Sequence, residues 1–239
     1  MISKDDVIRY YADKANGVHR YNTEEFFELE AREKLFHMGP GEALLDFGCG
    51  TGDLLAYYAA QFGSMLGVDI SDNMVQRARQ RLDGFGLQHV EVAQADEGKV
   101  WDVVGGRRFD VITSAGVMQY LSGEQIAAFL TAARQRLTAG GRVTMFDLVD
   151  PRLYWLFKYG WFRDRPLDAG AAASAIAQSG RVLARKLLRA LSGRAEDHIG
   201  FTHHPVVVQM AAERTGFRCR IVCSMYYEYR YHALLTPAA

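Results

Sequence analysis

Residues 44–54 read LLDFGCGTGDL. An apolar run gives way to three glycines at every second position, Gly48, Gly50 and Gly52, and a helical stretch follows. An ordinary turn needs one or two glycines. Three in this spacing predict a backbone that lies close against a ligand and turns the N–H groups of a helix start toward it. Asp69 ends the next apolar run, about twenty residues on, where a carboxylate can accept both hydroxyls of a ribose. Asp96 ends the third such run and can meet an adenine amino group.

The neighbouring residues repeat the pattern. Strands are predicted at 42–47, 64–70, 89–96, 109–116 and 140–150. Helices are predicted at 53–62, at 72–84 after a Ser71 cap, and at 123–137. Regular βαβα order predicts a parallel sheet covered on both faces, and near-continuous apolar strands fit burial on both sides. Two further helices precede this block, at 4–14 and at 23–38, the second capped by Asn22 or Thr23 and favoured by Glu24 and Glu25 in its first turn. After Pro151 the pattern lapses for some fifty residues. A helix ending at Gly216 and strands at 217–223 and 225–232 then close the chain, the last pair antiparallel across Ser224. The expectation is an α/β fold: a Rossmann-like doubly wound sheet, mostly parallel with an antiparallel C-terminal strand, in three α/β/α layers. One domain over 1–239 would comprise a helical cap (1–40), a cofactor-binding core (41–150), an inserted lid (151–200) and a C-terminal completion of the sheet (201–239).

Two kinds of nucleoside ligand suit a glycine loop with distal acids. A dinucleotide wants G-x-G-x-x-G and lays its pyrophosphate on the helix N-terminus. Here the loop is G-x-G-x-G, with Asp46 before it and Asp53 in the first turn after it. Two carboxylates repel a pyrophosphate and suit a ligand carrying an ammonium and a sulfonium. Taken in order, LLDFGCGTG, GVDIS-x-NM, the acid at Asp96, FDVITSAGVMQYL and LTAGGRV resemble the motifs of class I S-adenosylmethionine-dependent methyltransferases, over roughly residues 42–148. Ala139-Gly140-Gly141 departs from the Pro-Gly-Gly frequent in that family, which should loosen one turn.

The resemblance implies residue roles. Gly48, Cys49, Gly50 and Gly52 shape the loop beneath the methionine part of S-adenosylmethionine, and Asp46 contacts its amino group. Asp69 holds the ribose, and Ile70 and Met74 line the adenine. Asp96 binds the adenine amino group with Glu97 beside it, and Ser114 faces the methionine end. Cys49 also reads as a small turn residue, Met74 as helix core and Glu97 as a solvated acid. N-terminal segments of such enzymes fold over the cofactor, so Tyr11 or Tyr21 would close the pocket. Gln119 and Tyr120 follow the fourth strand, where substrate-facing groups are placed. His203 and His204 could supply a catalytic base; alternatively one caps the next helix and the other is solvated. No metal site is expected.

Bulk properties narrow the acceptor. The chain has 239 residues with 28 basic and 28 acidic side chains, so no global excess calls for nucleic acid. Three cysteines without framework spacing argue against a disulfide-stapled secreted protein. The alternation in GFRCRIVC puts Cys219 and Cys223 together on a buried face. A polar N-terminus and no apolar run of spanning length make the cytoplasm the expected location. The acceptor is then a small molecule methylated on oxygen, nitrogen or carbon, with S-adenosylhomocysteine as co-product. Segment 152–194 carries LYWLFKYGWF and nine basic residues against two acids. It reads as an ordinary lid, as a cap over an aromatic or anionic substrate, or as a docking element for an anionic membrane. The last reading would make the acceptor a lipid or a lipid-linked saccharide. A non-catalytic cofactor-binding subunit is the alternative of a different class, and the oligomeric state is not encoded legibly.

Overall fold

A computed structural model describes residues 4–12, 21–159, 176–177, 179–184, 187 and 200–238. Most of segment 152–194, including Trp161, Arg163, Arg165, Arg185, Lys186, Arg189 and Arg194, lies outside the described residues, as do His19, Arg20 and most of the Ala-rich run at 170–178.

Seven strands form one sheet: β1 (Ala43–Phe47), β2 (Ser64–Asp69), β3 (Val90–Gln94), β4 (Phe109–Ala115), β5 (Leu137–Val149), β6 (Phe217–Cys223) and β7 (Arg230–Pro237). Their order is β3-β2-β1-β4-β5-β7-β6. β1 to β5 pair in parallel, and β7 runs antiparallel between β5 and β6. The helices include α1 (Lys4–Ala12), α2 (Glu24–Met38), α3 (Leu55–Tyr58), α4 (Asp72–Gly84), α5 (Val100–Val104), α6 (Gly123–Gln135), α7 (Pro151–Lys158) and α8 (Pro205–Arg214). One core cluster joins Leu45, Val68, Ile112 and Met145 to α6 through Phe129 and Leu130; a second joins Leu44, Met65 and Val111 to Leu55 and Tyr58 of α3. The mostly parallel sheet with its antiparallel C-terminal strand is the expected fold class.

Local chemistry explains most element starts. Thr23 accepts the Phe26 N–H and caps α2. Ser122 and Gln125 form a reciprocal capping box on α6. Ser71 occupies the N-cap position of α4, yet its side chain makes no cap bond; Asp69 accepts the Ser71 N–H instead.

Four further expectations need correction. The helix foreseen at 53–62 is regular only over α3, with turns on either side. Helix α5 had no strong apolar period and was not foreseen. The last strand is 230–237, because residues 224–229 make a connection longer than one serine. Cys223 is exposed and Cys219 half-buried, because β6 is the sheet's edge strand and only part of it is covered.

Two bulges lie in β5. Between Phe109 and Val111 of β4 the partner jumps from Leu137 to Arg142, which absorbs the Ala139-Gly140-Gly141 turn. The second lies between Met145 and Leu148 opposite β7 and contains Asp147, whose φ is 59°. Aspartate is among the few non-glycine residues that tolerate this region. α7 leaves Trp155 and Leu156 exposed, while the Phe157 ring stacks on Tyr229 with centroids 3.9 Å apart. Among the described residues no helix is long and apolar enough to cross a membrane.

Candidate functional site

The C-terminal ends of β1, β2, β4 and β5 open into a cleft of about 1310 Å³, counting its open mouth. Such sheets bind ligands there, where strand order reverses beside β1. Gly48 has a φ of 81°, and a Cβ on it would stand 2.1 Å from Val117 Cγ2. Both the torsion and the space therefore require glycine. The Gly48 and Cys49 N–H groups donate to the Val68 carbonyl, which folds the loop back onto β2.

Asp69 ties this loop to α4. Its Oδ2 accepts the Gly50 N–H at 3.0 Å and its Oδ1 the Ser71 N–H at 2.9 Å. Burial raises its pKa and these N–H groups pull it back. Asp46 is 4 % exposed and stands near Asp69. Burial, and then the Asp69 charge, push it up to about 7 against the opposing pull of Lys34. Burial also pushes the Cys49 thiol up, so it is an inert wall residue. Ile70 and Met74 complete this wall, and Met74 is at once cleft lining and buried helix core.

At the far end, Asp96 and Glu97 line the cleft. Asp96 Oδ1 accepts the Gly98 and Lys99 N–H groups, both at 2.9 Å, and Lys4 Nζ of α1 sits 3.0 Å from Asp96 and 3.1 Å from Glu97. Burial works against the Asp96 charge, but these partners hold it below the usual carboxylate range. Gln125 donates to Glu97, so Glu97 is engaged rather than solvated. Helix α1 thus lies along the mouth, and at its other end the Tyr11 and Tyr120 hydroxyls are 2.7 Å apart. Burial and the Tyr120 pairing hold the Tyr11 proton far above the usual phenol range. Tyr21 is not among the lining residues; it is exposed and packs edge-on against Phe26.

The remaining candidates divide. Gln119 and Tyr120 line the cleft, and Gln119 donates to the Gly116 carbonyl at 2.7 Å. Ser114 is buried beneath the floor, outside the lining residues. Gly52 packs against Ala78 of α4, where a Cβ would meet backbone at 3.3 Å. His204 caps α8 by accepting the Val206 N–H. His203 is buried with Nε2 3.0 Å from the Met118 carbonyl, and burial lowers its pKa. A ring nitrogen beside a carbonyl carries the proton and donates it. Neither histidine is among the residues that line the cleft.

Sequence reasoning missed the wall opposite the glycine loop, which is built by Glu30, Asp147, Tyr227 and Arg230. Behind it Lys34, with no exposed surface, pairs with Asp147 Oδ2 at 2.9 Å. Burial disfavours both charges; the Lys34 ammonium nonetheless lowers Asp147 to about 2, and the carboxylates around Lys34 raise its own pKa. His232 Nδ1 accepts the Asp147 N–H, so its proton lies on Nε2 and is donated to Glu33 at 3.1 Å. Lys34 had a sequence signal: Phe27, Ala31, Lys34 and Met38 fall on one helical stripe, which is the buried face of α2.

Comparison with known proteins places the chain. A family model described as a methyltransferase domain matches residues 45–143. A Streptomyces venezuelae dTDP-3-amino-3,4,6-trideoxy-alpha-D-glucopyranose N,N-dimethyltransferase is 29% identical over 145 residues, 60% of this chain and 53% of that protein. A Symbiobacterium thermophilum demethylmenaquinone methyltransferase is 30% identical over 130 residues, 53% of this chain and 50% of that protein. The chain thus spans about half the length of these curated relatives. The Synechocystis magnesium protoporphyrin IX methyltransferase, solved with bound S-adenosylhomocysteine, superposes with a TM-score of 0.60 at 15% identity, covering 98% of this chain and 99% of that one. At that identity the likeness concerns the fold.

Proposed function

We propose, given that this chain carries a Rossmann-like methyltransferase domain of the S-adenosylmethionine-dependent class, that it moves a methyl group from S-adenosylmethionine to oxygen, nitrogen or carbon of a small-molecule acceptor. The row of carboxylates Asp46, Asp69 and Asp96 around a glycine loop carries the reading. The donor set fits that ligand. Asp69 keeps lone pairs for two ribose hydroxyls after accepting its N–H groups. Ile70, Met74 and Ala95 give a base an apolar slot, and Asp46 offers an ammonium a buried counter-charge. A pyrophosphate would instead face Asp46 and Asp69 across low-dielectric surroundings, where like charges repel strongly.

When bound, S-adenosylmethionine supplies an activated methyl group. The chain's own contribution is alignment and exclusion of water. Helix α1 closes the mouth through Lys4 and Tyr11, and Tyr120 and Gln119 face the acceptor side. The curated relatives are named for an amino sugar and for a quinone, which supports a small-molecule acceptor for this chain too. In this reading residues 1–40 cap the core at 41–150, and 151–200 helps to select the acceptor. Calorimetric titration tests the cofactor. S-adenosylmethionine and S-adenosylhomocysteine should bind the folded protein and NADH should not. Binding of NADH alone would overturn the reading.

Asp46 gives that binding a pH signature. Its value near 7 in the free protein means that an incoming ammonium must expel a proton below neutrality. Affinity for S-adenosylhomocysteine should fall about tenfold per pH unit below 7 and level off above it. Proton release should appear as a buffer-dependent heat at pH 6. The free protein behaves oppositely. Between the ordinary value of 3.8 and about 7, the folded chain holds a proton on Asp46 that the unfolded chain has lost. Asp46 therefore lowers stability as pH rises through that window. A pH-independent affinity from 5.5 to 8 would rule out this role.

A further inference from the structure

Arg230 opens β7 and lines the cleft where β4 and β5 end. Its guanidinium lies over the rings of Tyr227 and Tyr229, 4.6 and 5.3 Å from their centroids. A Cβ on Gly116 would stand 3.8 Å from its Nη1, so the cation reaches to the first residue after β4. Its Nε is buried and has no hydrogen-bond partner among the described residues.

The nearby acids are engaged elsewhere. Asp147 pairs directly with Lys34 and its charge reaches Arg230 only without contact, Glu33 accepts the His232 N–H, and Glu30 is hydrogen-bonded to Tyr227. Among the described residues, no carboxylate stands within ion-pair distance of Arg230. A half-buried guanidinium without a hydrogen-bonded counter-charge is costly, and aromatic faces offset only part of that cost. The same tyrosines hold the planar fork in one orientation, which is what bidentate recognition of an oxyanion needs.

We infer that Arg230 is an anion-binding residue of the cleft, taking a carboxylate or phosphate oxygen pair from a bound ligand. The ligand's identity rests on the methyltransferase reading; the anion site itself does not. Two sources share this chemistry: the amino-acid carboxylate of the adenosyl cofactor and an anionic group on the acceptor.

The test uses the full chain, Arg230→Met and Arg230→Lys, with 15N-labelled arginine. Calorimetry compares S-adenosylhomocysteine with methylthioadenosine, which keeps the nucleoside and sulfur but has no carboxylate. If the cofactor supplies the anion, Arg230→Met weakens S-adenosylhomocysteine about ten- to a hundredfold and leaves methylthioadenosine unchanged, with Arg230→Lys in between. If the acceptor supplies it, both adenosyl ligands bind the variants unchanged. Acetate or inorganic phosphate added to the methylthioadenosine complex then shifts, saturably, the Nε resonance that is missing from Arg230→Met. Unchanged affinities with an Nε resonance indifferent to both anions would overturn the inference, as would a lowered melting temperature of Arg230→Met as the sole effect. If neither adenosyl ligand binds the unaltered protein, the methyltransferase reading falls, while the anion titration of the free protein still decides on Arg230.

Discussion

Asp69→Ala should weaken S-adenosylhomocysteine on the order of a hundredfold, with the fold retained. Asp69 has two tasks in one carboxylate. It anchors the glycine loop to the start of α4 through the Gly50 and Ser71 N–H groups, and in the proposed function it offers its other lone pairs to the ribose. Hydrogen bonds to a charged acceptor contribute about 1.5–3 kcal/mol each. Two ribose hydroxyls lost together therefore correspond to about 3 kcal/mol or more, and each 1.4 kcal/mol is a factor of about ten. Asp69→Asn keeps one acceptor oxygen but no charge, and it should fall between alanine and the parent. Calorimetry on all three proteins reads the series. An alanine variant within about threefold of the parent would mean that the ribose is held elsewhere or that no ribose binds.

Lys34→Met should cost about 3–5 kcal/mol of stability, the penalty for stranding one member of a buried ion pair. Lys34 is wholly buried beneath the cleft, and Asp147 is only 4 % exposed. Without the ammonium, that carboxylate has no cationic side chain of the described residues in direct contact. The informative companion is Asp147→Asn. Asparagine tolerates the left-handed torsion of position 147, so it removes the charge without straining the bulge. Lys34→Met combined with Asp147→Asn should recover most of the loss, and urea midpoints for the four proteins yield the coupling directly. A single Lys34→Met variant within about 1 kcal/mol of the parent would show that the pair contributes little.

The Rossmann-like core was legible because its signals are local. The glycine loop, the acid ending β2 and the alternating strand and helix runs each lie within one short window, and the sheet order follows from the right-handed crossovers that such windows impose. The missed wall is not local. Lys34, Asp147 and Arg230 come from α2, β5 and β7, and no periodicity pairs a lysine with an aspartate more than a hundred residues away. A clue existed in each case: a lysine on the apolar stripe of α2, and an aspartate inside the apolar run TMFDLV. A charge in a buried position demands a partner, although the sequence alone does not say which. His203 and His204 show the opposite limit. A histidine beside a helix start looks catalytic, but here one caps the helix and the other satisfies a carbonyl. Cys223 shows a third: alternation tells two faces apart, not which of them is covered.

The place of β7 also has a meaning for how the protein is made. Residues 230–237 run between β5 and β6, both of which leave the ribosome earlier. The half that carries the glycine loop, β3-β2-β1-β4-β5, can assemble while β7 is still being synthesised, since domains generally build from the N-terminal side. Until then β5 is an unpaired edge, rich in Met145, Phe146, Leu148 and Val149, which is the kind of edge that recruits other chains. His232, the partner of both Glu33 and Asp147, arrives with β7, as does Arg230. The nascent chain therefore acquires its glycine loop first and its opposite cleft wall last, and the interval between them is when it most needs protection from aggregation.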